Sequence, residues 1–206
     1  MSRAYCYQCR RAKITCLCGR IEKQSNEIPV YVLQHPDETS NPKGSAIIAE
    51  LGLKQYQCWV GEDFRQHEGL NELLSKNDSG VVTLYPADNA ELLSDDRIRT
   101  SGESIKALLV IDGTWRKAKK IWELNPQLHK LPQYRLPQNN KTEYRIRKAP
   151  QEDYLSTVES IVAALRVIER SSGAYKPLLK LFTEMIDFQI NKMGEQTYLN
   201  NYRQKK

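Results

Sequence analysis

Short apolar runs alternate with amphipathic segments along most of this chain. Runs rich in β-branched residues predict strands, and segments with apolar residues three or four positions apart predict helices between them. Strands that alternate with helices favour an α/β fold with a mainly parallel sheet. The predicted strands are 28–33, 56–60, 81–85 and 105–111, and the predicted helices are 42–52, 64–74, 115–124, 157–173 and 178–193.

Local signals refine three of these boundaries. Ser156-Thr157-Val158-Glu159 fits a capping box at the start of a helix. Asn41-Pro42 resembles a helix N-cap residue followed by a first-turn proline. The segment 125–150 is rich in Pro, Gln and Asn, so it predicts loops around one short strand, Tyr144–Arg147. Long loops in compact domains are often functional.

The most apolar run ends in Asp112-Gly113-Thr114-Trp115. Ligands of open α/β sheets bind where strands end, because backbone amides and side chains converge there. Gly113 permits a sharp turn or a close approach to a ligand. Thr114 is a credible N-cap residue, and Trp115 is either a pocket wall or an anchor of the following helix. Asp112 is the candidate catalytic residue, with helix capping as its simpler alternative.

Two other predicted strands end in loops with polar or aromatic residues. Gln34-His35-Pro36-Asp37-Glu38 follows the first strand, and Leu84-Tyr85-Pro86 ends the third. In a parallel sheet these loops share one edge with Asp112, so together they could line one pocket. The plain alternatives are that His35-Pro36 ends a strand and that Tyr85-Pro86 turns the chain.

Four of the five cysteines lie within the first 18 residues, as C-x2-C-x6-C-x-C. In a reducing compartment this clustering predicts a structural Zn²⁺ site rather than disulfides. A redox pair or free surface thiols remain the alternative. We therefore expect a zinc-binding module over 1–23 and a main domain over 27–206. The proposed ligands are Cys6, Cys9, Cys16 and Cys18.

The net charge of +6 and the sequence pI near 9.0 favour a polyanionic partner. Basic residues between the cysteine pairs, at the start of the helix 115–124 and around Tyr144 could contact RNA phosphates. An exposed basic strand edge is the alternative for the last group. The candidate RNA-binding residues are Arg10, Arg11, Lys13, Arg116, Tyr144, Arg145, Arg147 and Lys148.

Several function classes lack their motifs in this chain. Neither G-x-G-x-x-G nor G-x4-G-K-[ST] occurs, which disfavours Rossmann dinucleotide binding and P-loop nucleotide hydrolysis. H-E-x-x-H and G-x-S-x-G are also missing, which weakens hydrolase interpretations. No apolar stretch approaches the roughly 20 residues of a membrane span, and the N-terminus lacks a signal-peptide pattern. We expect a cytoplasmic protein without membrane association.

The ordered motifs resemble those of the DTW-domain family, which is named after its Asp, Thr and Trp. Asp112-Gly113-Thr114-Trp115 carries the resemblance. The supporting matches run through most of the chain: the cysteine cluster, Gln34-His35-Pro36 with Glu38, Leu84-Tyr85-Pro86, Tyr144-Arg145-Ile146-Arg147 with Pro150, and Ser156-Thr157-Val158-Glu159. The resemblance implies a SPOUT-related α/β core with a C-terminal trefoil knot.

The same resemblance implies a tRNA-modifying activity. The reaction would transfer the 3-amino-3-carboxypropyl group of S-adenosylmethionine to N3 of a tRNA uridine, with a variable-loop uridine as the first choice and a D-loop uridine as the second. Asp112 would accept the N3 proton or orient the imide, or else bind the ammonium group of the donor. The implied cofactor- or substrate-binding residues are His35, Glu38, Leu84, Tyr85, Pro86, Gly113, Thr114, Trp115, Ser156, Thr157 and Glu159.

Two other functions compete with this interpretation. A SPOUT-type methyltransferase would use the same donor on RNA, and a zinc-containing RNA-binding protein would have no catalytic activity. Ser156, Thr157 and Glu159 also satisfy a capping box, so a purely structural role is open for them. We expect a monomer.

Overall fold

Six strands form a parallel sheet in the computed structural model, which describes residues 4–76, 80–101, 104–137, 142–146 and 155–203. The spatial order of the strands is β4-β3-β7-β5-β8-β6, and every neighbouring pair is parallel. This arrangement confirms the predicted α/β class. The strands of the sheet are β3 (Val30–Gln34), β4 (Tyr56–Val60), β5 (Val81–Leu84), β6 (Glu91–Leu92), β7 (Ala107–Asp112) and β8 (Gln133–Arg135), and the cysteine segment adds the pair β1 (Tyr5–Cys6) and β2 (Arg11–Ala12).

Helices cover both faces of the sheet. The α-helices are α1 (Ala46–Gly52), α2 (Glu68–Lys76), α3 (Asp95–Ser101), α4 (Trp115–Leu124), α5 (Thr157–Ile168), α6 (Lys176–Met193) and α7 (Glu195–Tyr198). Short 3₁₀ helices span Lys13–Thr15, Pro36–Glu38 and Pro126–Lys130, and a π-helical turn spans Leu199–Arg203. Among the described residues, no helix is both long enough and apolar enough to cross a membrane.

The central strand β7 is buried on both faces. Leu108 and Val110 pack into a cluster with α1, α5 and α6, whereas Ala107 and Leu109 pack on the opposite face with α2 and α4. Because side chains alternate along a strand, Asp112 projects from the same face as Leu108 and Val110. The first helices to meet its carboxylate are therefore those of the α1 and α5 layer.

Two local predictions are wrong. Residues 144–146 do not form the predicted strand: the chain turns at residues 145 and 146, and the Arg145 backbone donates a hydrogen bond of 2.8 Å to the Glu143 carbonyl. Arg147, the last residue of the predicted strand, lies outside the described residues. Helix α1 begins at Ala46 and not at Pro42. The side chain of Asn41 accepts a hydrogen bond from the backbone of Lys43 instead, which closes a local turn ahead of the helix.

The cysteine segment packs directly onto the main domain. Cys9 and Leu17 belong to the same buried cluster as α1 and α5. The Arg10 guanidinium forms an ion pair with Glu50 of α1. The boundary between 1–23 and 27–206 stays a prediction, and so does the trefoil knot, since residues 138–141 and 147–154 lie outside the described part of the chain.

Candidate active site

Asp112 lies at the carboxyl end of β7, directly opposite Gln34 of β3. The Gln34 amide donates a hydrogen bond of 2.8 Å to Asp112 Oδ2, and the Thr157 hydroxyl donates one of 2.5 Å to Oδ1. Only 6% of the Asp112 surface is exposed. Each of these two donors, both neutral groups, fixes one carboxylate oxygen. The structure therefore presents an oriented carboxylate at the edge of the sheet.

A cavity of about 280 Å³ opens beside this carboxylate. Its volume is close to the lower end of the range for small-molecule sites, about 300 to 1,000 Å³. Segments that are distant in sequence meet there, from the loop after β3, the turn after β7, the start of α5 and the C-terminus. The lining residues are Glu38, Asn41, Lys43, Gly44, Ser45, Asp112, Gly113, Thr114, Tyr144, Ile146, Thr157 and Tyr202.

The turn after β7 brings Gly113 and Thr114 into the cavity wall. A Cβ atom added at Gly113 would lie 3.1 Å from Lys117 Cβ and 3.4 Å from the backbone nitrogen of Ala118, so α4 packs closely on this glycine. Thr114 occupies the N-cap position of α4 in an extended conformation, as predicted, but its side chain makes no capping hydrogen bond. The exposed Thr114 hydroxyl is therefore available to a ligand.

Glu38 is a second acidic residue of the cavity and is almost fully buried. Lys117 donates to one of its oxygens at 2.8 Å, and Asn41 donates to the other at 2.7 Å. The hydrogen bond with Glu38 is the main reason that the pKa of Lys117 is raised. Lys117 thus lies against this buried carboxylate and balances its charge.

The structure does not bring His35 into the cavity. Its Nδ1 atom accepts a hydrogen bond of 3.2 Å from the backbone of Asp37, and its Nε2 atom lies 2.6 Å from a carboxylate oxygen of Glu62. The first contact makes His35 the N-cap residue of the 3₁₀ helix Pro36–Glu38. Both ring nitrogens are therefore engaged in holding the loop after β3.

The residues 84–86 also lie apart from the cavity lining. Leu84 is buried in the core, and Pro86 is exposed. The Tyr85 ring stacks on Trp122 of α4, with centroids 4.5 Å apart, on the face of the sheet opposite Asp112. Trp115 is half-buried at the first position of α4 and is likewise not among the lining residues. A ligand role for these residues stays a prediction.

The predicted capping box is present at the start of α5. The Ser156 hydroxyl accepts from the backbone of Glu159, and the Glu159 carboxylate accepts from the backbone of Ser156. Glu159 also accepts hydrogen bonds from the Thr142 hydroxyl at 2.9 Å and the Glu143 backbone at 2.8 Å. Ser156 and Glu159 therefore tie the segment 142–146 to α5, whereas Thr157, between them, contacts Asp112.

Glu159→Gln is expected to lower the free energy of unfolding by about 2 kcal/mol, since an amide nitrogen replaces one charged acceptor oxygen in a buried network. Urea denaturation of the purified protein measures this loss. Glu68→Gln, in the exposed first turn of α2, is the matched control and should change stability by less than about 0.5 kcal/mol. Equal stability of Glu159→Gln and the wild type would contradict a stabilising role of Glu159 between α5 and the segment 142–146.

The loop 42–44 is held by three side chains from distant parts of the chain. Gln189 donates to the carbonyl of residue 42 at 3.0 Å, Tyr144 to that of residue 43 at 2.6 Å, and Arg11 to that of residue 44 at 2.9 Å. Only 5% of Arg11 is exposed. Arg11 and Tyr144 fix the backbone of this cavity wall, and their predicted contact with RNA stays a prediction.

The other basic candidates differ in how accessible they are. Lys13 and Arg116 are exposed. Arg10 and Arg145 are partly exposed and carry ion pairs, with Glu50 for the first and with Asp187 for the second. Arg147 and Lys148 lie outside the described residues. Arg145 lies in sequence between the lining residues Tyr144 and Ile146, so it flanks the cavity.

Several residues of the site were not predicted from the sequence. Gln34 was noticed only as part of a loop motif, although its register opposite Asp112 would follow once β3 and β7 are paired as parallel neighbours. Lys43, Gly44 and Ser45 lie in the region expected to be the first turn of a helix. Tyr202, near the C-terminus, carries no sequence signal that could have linked it to the cavity.

The four clustered cysteines have the geometry of a metal centre. Their sulfur atoms all lie within 4.8 Å of one another, with 3.8 Å between Cys6 and Cys18 and 3.6 Å between Cys9 and Cys16. Tetrahedral zinc with bonds of about 2.3 Å requires sulfur separations of about 3.8 Å. Hydrogen bonding, first from the Cys9 backbone, lowers the pKa of Cys6 to about 6, whereas burial raises the pKa of Cys18 to about 12. The cluster fits a structural metal ion.

Comparisons with known proteins agree with this architecture. The model of the DTW domain matches residues 3–190. The "tRNA-uridine aminocarboxypropyltransferase 2" of Drosophila melanogaster is 30% identical over 192 residues, which are 90% of this chain and 75% of that protein. The proteins of the same name from Mus musculus and Macaca fascicularis are 30% and 29% identical.

Both mammalian alignments include 91% of this chain and 64% of the relative's length. No solved structure matches the chain. The motif order, the cysteine cluster and the DTW model therefore converge on a single family over nearly the whole sequence. The chain belongs to the DTW domain family.

Proposed function

We propose that this protein transfers a 3-amino-3-carboxypropyl group to N3 of a uridine in tRNA. The observation that carries the proposal is the oriented Asp112 carboxylate at the edge of a cavity, in a chain of this family. The names of the relatives supply the reaction class. Uridine N3 is a weakly acidic imide nitrogen, so a carboxylate within hydrogen-bond reach is the group that its chemistry requires.

S-adenosylmethionine is the proposed donor, because its sulfonium activates the carbon that must be transferred. A bond forms between uridine N3 and that carbon while the bond from the carbon to sulfur breaks. The electron pair of the broken bond stays on sulfur, which leaves as neutral methylthioadenosine. Asp112 accepts the proton that N3 loses. All three carbons on the sulfonium are activated, so the orientation of the donor in the cavity selects the product.

The side chains around Asp112 contribute to this step by orienting the reacting groups. Gln34 and Thr157 hold its carboxylate in a fixed orientation at the cavity wall. The Thr114 hydroxyl, at the N-cap position of α4, is available to either substrate. Glu38 and its partner Lys117 keep the adjoining wall polar but balanced in charge. This arrangement orients reactants without covalent participation of the protein.

The cysteine cluster is proposed to hold one structural Zn²⁺ through Cys6, Cys9, Cys16 and Cys18. Bound zinc would stabilise the short segment 4–19 and supply no chemistry to the transfer. The reduced thiols suit the reducing cytoplasm, which is the proposed compartment. We propose that the enzyme is a monomer. A SPOUT-like C-terminal trefoil knot is the proposed topology.

The polyanionic partner is proposed to be tRNA, with a variable-loop uridine as the preferred target. The net charge of +6 favours phosphate binding. The exposed Arg116 on α4 and the partly exposed Arg145, which flanks the cavity, support contacts with the phosphates near the target uridine. Lys13 extends this basic surface to the cysteine segment.

Incubation of the purified protein with unmodified tRNA and S-adenosylmethionine tests the proposal. We expect nucleoside mass analysis to show uridine that carries one aminocarboxypropyl group, with an equal amount of methylthioadenosine released. S-adenosylhomocysteine together with a methylated nucleoside would identify a methyltransferase instead. tRNA binding without any modified nucleoside would favour a non-catalytic RNA-binding protein.

A further inference from the structure

The cavity beside Asp112 contains a lysine that the proposed reaction leaves without a role. Lys43 donates a hydrogen bond of 2.8 Å to the hydroxyl of Tyr202, and its ammonium lies 5.3 Å from the centre of the same ring. Within the described part of the chain, no carboxylate lies at ion-pair distance from this ammonium. The neutral phenol positions the lysine and leaves its positive charge in the cavity.

Hydrogen bonds to the backbone hold Lys43 in a defined position. Its own carbonyl and those of both neighbours accept hydrogen bonds from side chains of Gln189, Tyr144 and Arg11. Its backbone N–H donates to the side chain of Asn41 at 2.9 Å. Such support of the backbone is typical of residues that must meet a ligand with defined geometry.

The cavity therefore carries separated charges. Lys43 supplies a cation on one wall, and the Asp112 carboxylate, oriented by Gln34 and Thr157, lines the same cavity. The other acidic group, Glu38, is balanced by Lys117. A small ligand whose anionic group can pair with Lys43 matches this pattern. An α-amino acid head group, with its ammonium and carboxylate, is such a ligand.

We propose that Lys43 binds the carboxylate of the amino-acid end of the donor and that Tyr202 holds the lysine in the orientation this contact needs. The inference rests on the proposed function, in which the transferred group carries that carboxylate. The contact would fix the group so that its reacting carbon, rather than the methyl group, faces the uridine. Tyr202 lies beyond residues 3–190, so the C-terminal segment would complete a site that the DTW match does not include.

Titration calorimetry with three ligands tests this assignment. S-adenosylmethionine has the carboxylate, its decarboxylated analogue lacks only that group, and methylthioadenosine lacks the whole transferred group. We expect the wild type to bind S-adenosylmethionine about 10- to 100-fold more tightly than the decarboxylated analogue, the range for a charge-assisted contact. Lys43→Gln should lose this preference while it binds methylthioadenosine with unchanged affinity, which also shows that the site has folded.

Two further variants complete the test. Tyr202→Phe keeps the ring but removes the hydrogen bond to Lys43, so the affinity for S-adenosylmethionine should fall by about three- to tenfold. Lys54→Gln makes the same change as Lys43→Gln at an exposed lysine outside the cavity and should bind all three ligands like the wild type.

The inference is overturned if Lys43→Gln weakens all three ligands equally, or if the wild type does not distinguish S-adenosylmethionine from its decarboxylated analogue. Failure of the wild type to bind any of the three ligands is a different result. It would overturn the proposed donor, and with it the proposed function, before the question of the carboxylate arises.

Discussion

Asp112→Asn should lower the rate of aminocarboxypropyl transfer by about 10²- to 10⁴-fold, the usual contribution of a general base. Asparagine has nearly the same size and can still accept a hydrogen bond from Gln34 or Thr157, but it takes up no proton from uridine N3. Single-turnover assays on unmodified tRNA, with donor and protein in excess, measure the chemical step separately from product release.

Asp88→Asn is a suitable control because Asp88 is exposed and does not line the cavity. It should transfer at the wild-type rate and melt at the wild-type temperature. Asp112→Asn, which loses one buried acceptor oxygen, should melt about 5 °C lower and stay folded at the assay temperature. Transfer at the wild-type rate by Asp112→Asn would remove the catalytic assignment. A selective loss of affinity for S-adenosylmethionine relative to methylthioadenosine would instead assign Asp112 to the ammonium of the donor.

Cys9→Ser should abolish stoichiometric zinc binding and lower the melting temperature by about 10 °C or more. A serine hydroxyl is a poor zinc ligand, and metal-binding free energy in a small module is folding free energy. Cys9 is buried in the same cluster as α1 and α5, so the loss should reach the main domain. For a domain of this size, several kcal/mol correspond to this shift. Elemental analysis and thermal denaturation give the two readouts.

Cys58→Ser is the matched control, since Cys58 lies on β4 outside the cysteine cluster. It should retain one equivalent of zinc and lose less stability than Cys9→Ser. A wild-type protein purified without stoichiometric zinc, even after growth with added zinc, would contradict the metal assignment. Retention of zinc by Cys9→Ser would exclude Cys9 as a ligand.

The elements with strong local signals agree between sequence and structure. The apolar run before Asp112 is the central strand β7, and the capping box at Ser156 starts α5 as predicted. Both depend on short-range physics, hydrophobic burial in the first case and saturation of helix N–H groups in the second. For the same reason, the position of Asp112 at a strand end could be predicted from the sequence.

The cavity wall could not be predicted, because its contacts join distant segments. The sequence places Tyr144 among basic residues in a predicted strand. In the structure its ring packs on Phe182, and its hydroxyl donates a hydrogen bond to the carbonyl of Lys43. His35 has the residue type of a catalytic group but caps a short helix. Tyr202 reaches Lys43 across 159 positions. Periodicity and motif spacing carry no information about pairings over such separations.

The three side-chain hydrogen bonds to the loop 42–44 also determine when, during folding, the cavity wall is complete. Their donors lie 33, 101 and 147 positions away in sequence, the most distant being Gln189. Contacts with such separations form late, because long loops must close first. During synthesis, the sheet strands through β7 emerge well before Gln189 and Tyr202. A nascent chain can therefore build most of the sheet while its cavity wall is still open, and the wall closes only when the last helices have docked.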